Sequence, residues 1–136
     1  MIRNKLFKLS AAFIFLAIII SCSQDEKSAR ASAGGFLDSY FKIEYEKAAG
    51  YCTSELGEEL RSSLKSIESL ESGVKEMIIK QTSAIKPEIT KVERGPGRDS
   101  MVVVYKVILS GFPNGIENRL VLVKSGKDWK VAQLGR

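Results

Sequence analysis

The chain has 136 residues, of which 44% are hydrophobic and 27% charged, and its formal net charge is +5. This length and composition predict a single ordinary globular domain. The chain contains no histidine and two cysteines. It therefore excludes Ser-His-Asp and Cys-His catalytic pairs and structural zinc sites built from His and Cys ligands, and we expect neither a metal nor a cofactor.

The first 21 residues have the layout of a secretory signal peptide. Arg3, Lys5 and Lys8 form a basic start without acids, and a mostly apolar stretch follows at 9–20. Twelve helical residues rise about 18 Å, which is short of the roughly 30 Å hydrocarbon core, so a transmembrane span is the weaker interpretation. We expect residues 1–21 to be removed from the mature protein.

The residues at the end of this leader favour a lipid anchor. Ile19-Ile20-Ser21-Cys22 resembles the lipobox of bacterial lipoproteins. The resemblance implies that Cys22 receives a thioether-linked diacylglycerol and becomes the mature N-terminus, with a further acyl chain such as palmitate in many bacteria. Two or three acyl chains hold a protein stably on a membrane. The lipid bilayer is then the first expected partner, and the alternative is a chance cysteine after an ordinary signal peptide.

The segment after Cys22 predicts a tether and bears on localisation. Residues 23–34 lack large apolar side chains, so we expect 22–34 to form a lipidated, flexible tether and 35–136 the folded domain. Asp25 and Glu26 resemble a sorting signal that sends some Gram-negative lipoproteins to the cell surface. Periplasm-facing attachment to the outer membrane is the alternative within the same cell envelope.

The charge of the mature chain does not indicate a nucleic-acid partner. Loss of three bases with the leader lowers the net charge from +5 to about +2. The remaining lysines and arginines alternate with glutamates and form no basic run. We therefore expect no binding to nucleic acid.

Hydrophobic spacing predicts helices first and strands afterwards. Apolar residues recur every three or four positions in helices at 36–49, about 55–71 and 73–84. Alternation and β-branched residues then predict strands at 89–94, 101–109, 117–124 and 129–134, with a turn at 111–115 among the short connections. Short connections imply an antiparallel meander, so the expected fold class is α+β with the helices on one face of the sheet.

The alternation also predicts which side of the sheet is covered. Val103, Tyr105, Val107 and Leu109 form an apolar set that we expect to face the helices, joined by Trp129 and Val131. The opposite set is also largely apolar. We therefore expect a partner or a homodimer to cover part of the outer face.

This order of elements resembles a known superfamily. Tyr45-Glu46-Lys47-Ala48-Ala49 closes the first helix, Leu56–Leu60 opens the next, and Asp128-Trp129-Lys130-Val131 opens the last strand. The pattern resembles nuclear transport factor 2-like proteins, in particular small bacterial lipoproteins of unknown function with that fold. The resemblance covers about 35–135 and implies a cone-shaped domain in which the helices pack on a curved four-stranded sheet.

The resemblance implies a cleft between helices and sheet but no single activity. We expect a non-enzymatic module that binds an envelope protein or a small apolar ligand, and the alternative is an isomerase- or dehydratase-like enzyme. Asp38 and Tyr40 lie two residues apart on a helix and cannot face each other, so no catalytic residue is assigned. The predicted ligand-binding residues are Phe36, Tyr40, Tyr105 and Trp129.

Two further residues carry minor predictions. Cys52 is the one thiol left after lipidation, and we interpret it as a small buried residue, with a reactive or intermolecular thiol as the alternative. Asp99-Ser100-Met101 resembles a bacterial O-glycosylation signal at a loop-strand junction where a transferase could reach Ser100. A chance match is the alternative.

Overall fold

The computed structural model describes residues 24–135, which form four helices followed by four strands. The strands pair in the order β1-β2-β3-β4, all antiparallel. The predicted α+β class with a four-stranded meander is confirmed. The leader and Cys22 lie outside the described residues. The elements are α1 (24–41), α2 (Tyr45–Ala49), α3 (Ser54–Glu68), α4 (Ser72–Ser83), β1 (Lys86–Arg94), β2 (Ser100–Leu109), β3 (Phe112–Ser125) and β4 (Asp128–Leu134).

The predicted flexible tether is wrong, because the chain is helical throughout 24–41. Ala29 and Ala33 are both fully buried in the core, about two turns and one turn of the helix before Leu37, respectively. Alanine is the strongest helix former, and its small side chain lets a helix approach a sheet closely. A segment without large apolar residues therefore still has a buried face, and the folded domain begins no later than residue 24.

The predicted helix at 36–49 is interrupted near its middle. Ile43 adopts a φ of 58°, which ends α1 and lets α2 begin at Tyr45 in a new direction. The Glu44 N–H donates to the Ser39 carbonyl at 3.0 Å across this break. Glycine usually occupies such a left-handed position. The sequence has isoleucine instead, and its burial offsets the unfavourable backbone conformation.

The predicted turn at 111–115 lies one position too late. Leu109 pairs with Phe112, so the reversal is the two-residue turn Ser110-Gly111, where Gly111 has a φ of 97°. Residues 113–115 form a bulge inside β3, since the register shifts between Val107 and Leu109. Proline and glycine are favoured in bulges as well as in turns, which explains the ambiguity in the sequence.

The two edges of the open sheet are β1 and β4. The register of β1 against β2 shifts between Ile89 and Lys91, which leaves Thr90 as an extra residue. The Thr90 hydroxyl donates to the Val104 carbonyl at 3.3 Å. This bulge interrupts the regular ladder in the middle of the edge strand.

The hydrophobic core lies between α1–α3 and one face of the sheet. The predicted inner positions Val103, Tyr105, Trp129 and Val131 are all buried there, which confirms the assigned face, and Val107 packs at its border. Leu109 is half-buried and is not part of this core cluster. It follows the register shift and lines a surface cavity with Gln81 and Ala84 at the end of α4. The other buried members of the core are Ala29, Ala33, Phe36, Leu37, Ala48, Cys52, Leu56, Leu60, Met101, Leu120 and Leu122.

The outer face of the sheet is less open than the alternation predicts. Val104 is only 5% exposed, although it points away from the helices. Its neighbours across the strands are Lys91 and Arg119. Long basic side chains cover apolar neighbours with their aliphatic stems. An apolar residue at the centre of this face is therefore shielded within one chain.

Candidate interaction surface

The predicted cleft between helices and sheet is filled by side chains. Phe36, Tyr105 and Trp129 are 0%, 5% and 2% exposed, and Tyr40 packs against the same cluster. None of four surface cavities found along residues 24–135 is lined by these side chains. These residues form core rather than the wall of a pocket.

The four predicted ligand-binding residues also do not come together. Tyr105 pairs with Asn118 and Trp129 pairs with Lys124, six residues further along β3. Six strand residues span roughly 20 Å. Three members of the set do lie near one another, since the rings of Phe36 and Tyr40 stack with centroids 5.3 Å apart and Tyr40 lies near Tyr105.

The part that does come together is a cluster of phenols. The Tyr40 ring stacks on that of Tyr45 at 5.4 Å, and Tyr40 also lies close enough to Tyr105 to affect its ionisation. Burial raises the pKa of both Tyr45 and Tyr105, and the neighbouring Tyr40 adds to each shift. Tyr45 and Tyr105 therefore present neutral phenols.

No buried carboxylate accompanies these phenols among residues 24–135. The buried polar residues in that range are Ser39 and Ser100. Asp38, one residue from Ser39, is exposed and forms a surface ion pair with Lys42 at 3.3 Å. The described residues also contain no group of three or more potential metal-ligating side chains. An acid-base pair of the isomerase type does not form here.

Cys52 is buried, as predicted. Its Sγ donates to the Ala48 carbonyl at 3.3 Å, and the residue is 7% exposed. Burial raises the thiol pKa to about 11, against a smaller opposing effect of Lys130. A buried thiol with a raised pKa is a poor nucleophile. This geometry is that of a small residue packed in the core, as expected for Cys52.

The expected access of a transferase to Ser100 is wrong for the folded chain. Ser100 is 9% exposed, and its Oγ lies 3.1 Å from the Gly97 N–H and 3.3 Å from the Gly97 carbonyl. The hydroxyl thus closes the β1–β2 loop on itself. The sequence places Ser100 correctly at a loop-strand junction but does not reveal which way its side chain turns.

The most unusual surface of the domain belongs to α4. This helix has no buried residue, yet it carries apolar side chains at helical spacing. Val74 and Met77 are 40% and 53% exposed, and Leu70, just before the helix, is 41% exposed. Gln81 and Ala84 continue the stripe of Val74 and Met77 toward the end of the helix. An amphipathic helix normally buries such a face.

The β2–β3 hairpin extends this exposed apolar area. Ile108, Phe112 and Ile116 are 46%, 54% and 44% exposed. A cavity of about 470 Å³ joins the hairpin to the end of α4. We call the combined area the distal apolar surface, and its exposed members are Leu70, Val74, Met77, Ile108, Phe112 and Ile116. The cavity itself is lined by Gln81, Ala84, Ile85, Ile108, Leu109, Ser110 and Phe112.

The sequence does not reveal this surface, for a definable reason. The spacing that places Val74 and Met77 on one helical face is identical for a face packed on the core and a face packed on another molecule. Exposed contiguous apolar patches are uncommon on monomeric proteins and mark interaction sites. The exposure of Val74 and Met77 distinguishes the two cases, and it is visible only in the structure.

Two other cavities are less distinctive. One of about 610 Å³ lies between α1 and the start of β1, where Arg30 and Lys86 flank Leu37 and Ile89. Another of about 630 Å³ lies beside the start of α3 and the end of β4, and includes Glu55. Neither contains a buried charged group, so neither has the features of a preorganised ligand site.

Within 24–135, no helix combines the length and the hydrophobicity needed to cross a bilayer. The chain matches no protein-family model, no curated protein and no solved structure.

Proposed function

We propose that this chain is a lipid-anchored protein of the bacterial cell envelope, attached through Cys22, whose domain binds another envelope protein through the distal apolar surface. The observation that carries the binding role is α4, a helix with an apolar stripe and no buried residue. Water contact with this stripe is unfavourable by roughly 25 cal/mol per Å² of apolar surface. A partner that covers it gains that free energy.

The extent of the surface favours a protein over a small ligand. The 12 residues of α4 span about 18 Å, and the exposed side chains continue onto the hairpin. A small apolar ligand would fill the cavity beside Phe112 but would leave Leu70 and Val74 in water. A second protein can cover helix and hairpin together, as in helix-in-groove recognition.

Lipid attachment is supported by three adjoining features of the sequence. A basic start, a short apolar stretch and a small residue before Cys22 occur in the order that lipoprotein processing requires. Attachment to the outer membrane, facing the periplasm or the cell surface, is part of this proposal. We expect mass spectrometry of the mature protein to find an acylated Cys22, and Cys22→Ala to retain the leader. An unacylated N-terminus in the native protein would overturn the anchor.

The partner is tested by photo-crosslinking in the native host. A photoreactive amino acid replaces Met77 or Phe112, and the exposed turn residue Lys127, which lies outside the distal apolar surface, is the matched control. We expect positions 77 and 112, but not 127, to crosslink to one envelope protein of different sequence.

Any other result of this experiment would contradict the proposal that the partner is a different envelope protein. A product of twice the mass would identify a second copy of this chain instead. Extra mass of a small molecule on the intact protein would identify a ligand. Crosslinking that is equal at all three positions, or absent from all, would show that the surface has no specific partner.

The nuclear transport factor 2-like assignment belongs to the same proposal. Its support is the order of helices followed by a four-stranded antiparallel meander. We expect an experimental structure of the mature domain to show the sheet curved around the helices into a cone. A flat sheet would remove the assignment while leaving the lipid anchor and the distal apolar surface unaffected.

A further inference from the structure

The first described turn of α1 is fixed to one end of the sheet. The Asp25 carboxylate lies 3.4 Å from the Lys124 Nζ and 3.7 Å from the Arg94 guanidinium. Arg94 is the last residue of β1, and Lys124 is the next to last of β3. The start of α1 therefore lies at the end of the sheet that carries the 95–99 loop and the 125–128 turn. We call this end the proximal end.

Very little chain separates the proximal end from Cys22. Ser23 is the single residue between Cys22 and the start of the described helix. Two consecutive Cα–Cα steps span at most about 7.6 Å, whatever their conformation. An acyl group on Cys22 lies within the membrane, so residue 24 has to stay close to the headgroups.

We propose that the proximal end is a membrane-apposed surface, with the 95–99 loop and the 125–128 turn against the lipid headgroups. The inference rests on the proposed lipidation of Cys22. The domain then does not move freely on a long tether. It is held close to the bilayer by the short segment Cys22-Ser23, which we call the stem. The proximal end thus contacts the headgroup layer of the bilayer.

Charge alone does not create this contact. The loop and the turn each contain one exposed acid beside their bases, namely Asp99 and Asp128, and Glu26 adds a third near the start of α1. Arg98 and Lys127 are the exposed bases of the loop and the turn. With both signs interspersed, stem length determines the orientation, and anionic lipid has little additional effect.

The same geometry keeps the hairpin part of the distal apolar surface away from lipid. Phe112 and Lys124 lie at opposite ends of β3, separated by 12 residues that span up to roughly 40 Å. Lys86 and Ile108, at the start of β1 and near the end of β2, also lie at the distal end. The apolar side chains there are thus presented to the aqueous phase.

The orientation is measurable on the lipidated full-length protein in vesicles. A fluorophore is attached to Lys127→Cys or, as the matched control, to Asn114→Cys, which is exposed at the opposite end of the sheet. Cys52 is buried and has a raised pKa, so it reacts little. The vesicles contain phosphatidylcholine with a nitroxide on the headgroup, with or without phosphatidylglycerol.

We expect several-fold stronger quenching at position 127 than at 114, with and without anionic lipid. Equal quenching at both positions, or stronger quenching at 114, would overturn the inference while leaving the anchor intact. Failure to bind vesicles at all would instead contradict the lipid anchor. A Gly-Ser insertion of about 20 residues after Ser23, which reaches roughly 25 Å, should abolish the difference between the positions. Persistence of the difference would show that stem length does not orient the domain.

Discussion

Asp25 and Lys124 form an ion pair between residues 99 positions apart in the chain, with 3.4 Å between Oδ1 and Nζ. Arg94 approaches the other carboxylate oxygen at 3.7 Å, so one acid joins the start of α1 to β1 and β3. Lys124 also lies 6.0 Å from the centre of the Trp129 ring. An acidic residue that resembles part of a sorting signal in the sequence thus has a structural contact in the folded domain.

Replacement of Asp25 tests this contact. Asp25→Asn should lower the free energy of unfolding by up to about 1 kcal/mol, because the side chain is only 19% exposed and contacts two bases. The control Asp38→Asn removes a pair whose acid is 63% exposed and should cost less. Thermal unfolding at low and at high salt measures both variants. A cost for Asp25→Asn that does not shrink at high salt would argue against an electrostatic contribution.

Two adjacent glycines provide a matched test of packing around α1. A Cβ at Gly35 would lie 2.6 Å from the Tyr51 Cε1, whereas a Cβ at Gly34 would lie 4.0 Å from the Ile89 Cδ1. Gly35→Ala should therefore displace the Tyr51 ring and destabilise the domain by about 1 kcal/mol or more. Gly34→Ala should be neutral or stabilising by up to about 1 kcal/mol. Equal effects in denaturant unfolding would contradict this packing.

Two phenylalanines distinguish the core from the distal apolar surface. Phe36 is fully buried, and Phe36→Ala should lower the free energy of unfolding by about 3–5 kcal/mol. Phe112 is 54% exposed, and Phe112→Ala should change the free energy of unfolding by about 0.5 kcal/mol or less. Phe112→Ala should nevertheless weaken crosslinking from position 77. A large loss of stability in the Phe112 variant would show that Phe112 stabilises the domain itself and would argue against a role in an interface.

The Cys52 thiol predicts a pH dependence of stability. Its pKa rises from about 9 to about 11 on folding, so the unfolded chain loses this proton first. The folded state binds more protons between these values, and stability should fall as the pH rises from about 9 toward 11. Below pH 9 the thiol should have no effect.

Cys52→Ala isolates this contribution, since the raised pKa of Tyr45 and Tyr105 acts in the same direction above pH 10. Denaturant unfolding of the variant should show a shallower decline between pH 9 and 10. An identical decline in both proteins would exclude the thiol as its cause. Rapid labelling of folded Cys52 by a thiol reagent would independently contradict its burial.

The sequence predicts the architecture well because periodicity and turn residues report local structure. The β-branched run at 101–109 closely matches β2, and Val103 and Tyr105 face the helices as expected. The prediction of a flexible tether is wrong because Ala29 and Ala33 bury little area yet pack tightly. The prediction of one continuous helix over 36–49 is wrong because an isoleucine, Ile43, and not a glycine, occupies the left-handed conformation that interrupts it.

The candidate site is harder to predict from the sequence than the fold. Phe36, Tyr105 and Trp129 are large aromatic residues of the kind that line clefts, but the same properties suit a core, and only packing decides between them. The distal apolar surface depends on how far α4 stands from the core. That distance is set by contacts between residues remote in sequence, which periodicity does not encode.

The bulge at Thr90 has a consequence for self-association. An exposed edge strand offers unpaired N–H and C=O groups to other chains, and regular edges promote aggregation. In β1 the bulge, Pro87 and the charged residues Lys86, Lys91 and Glu93 make the edge irregular and poorly suited to extension by a foreign strand. Crowded copies of this domain are thereby discouraged from merging their sheets into fibrils.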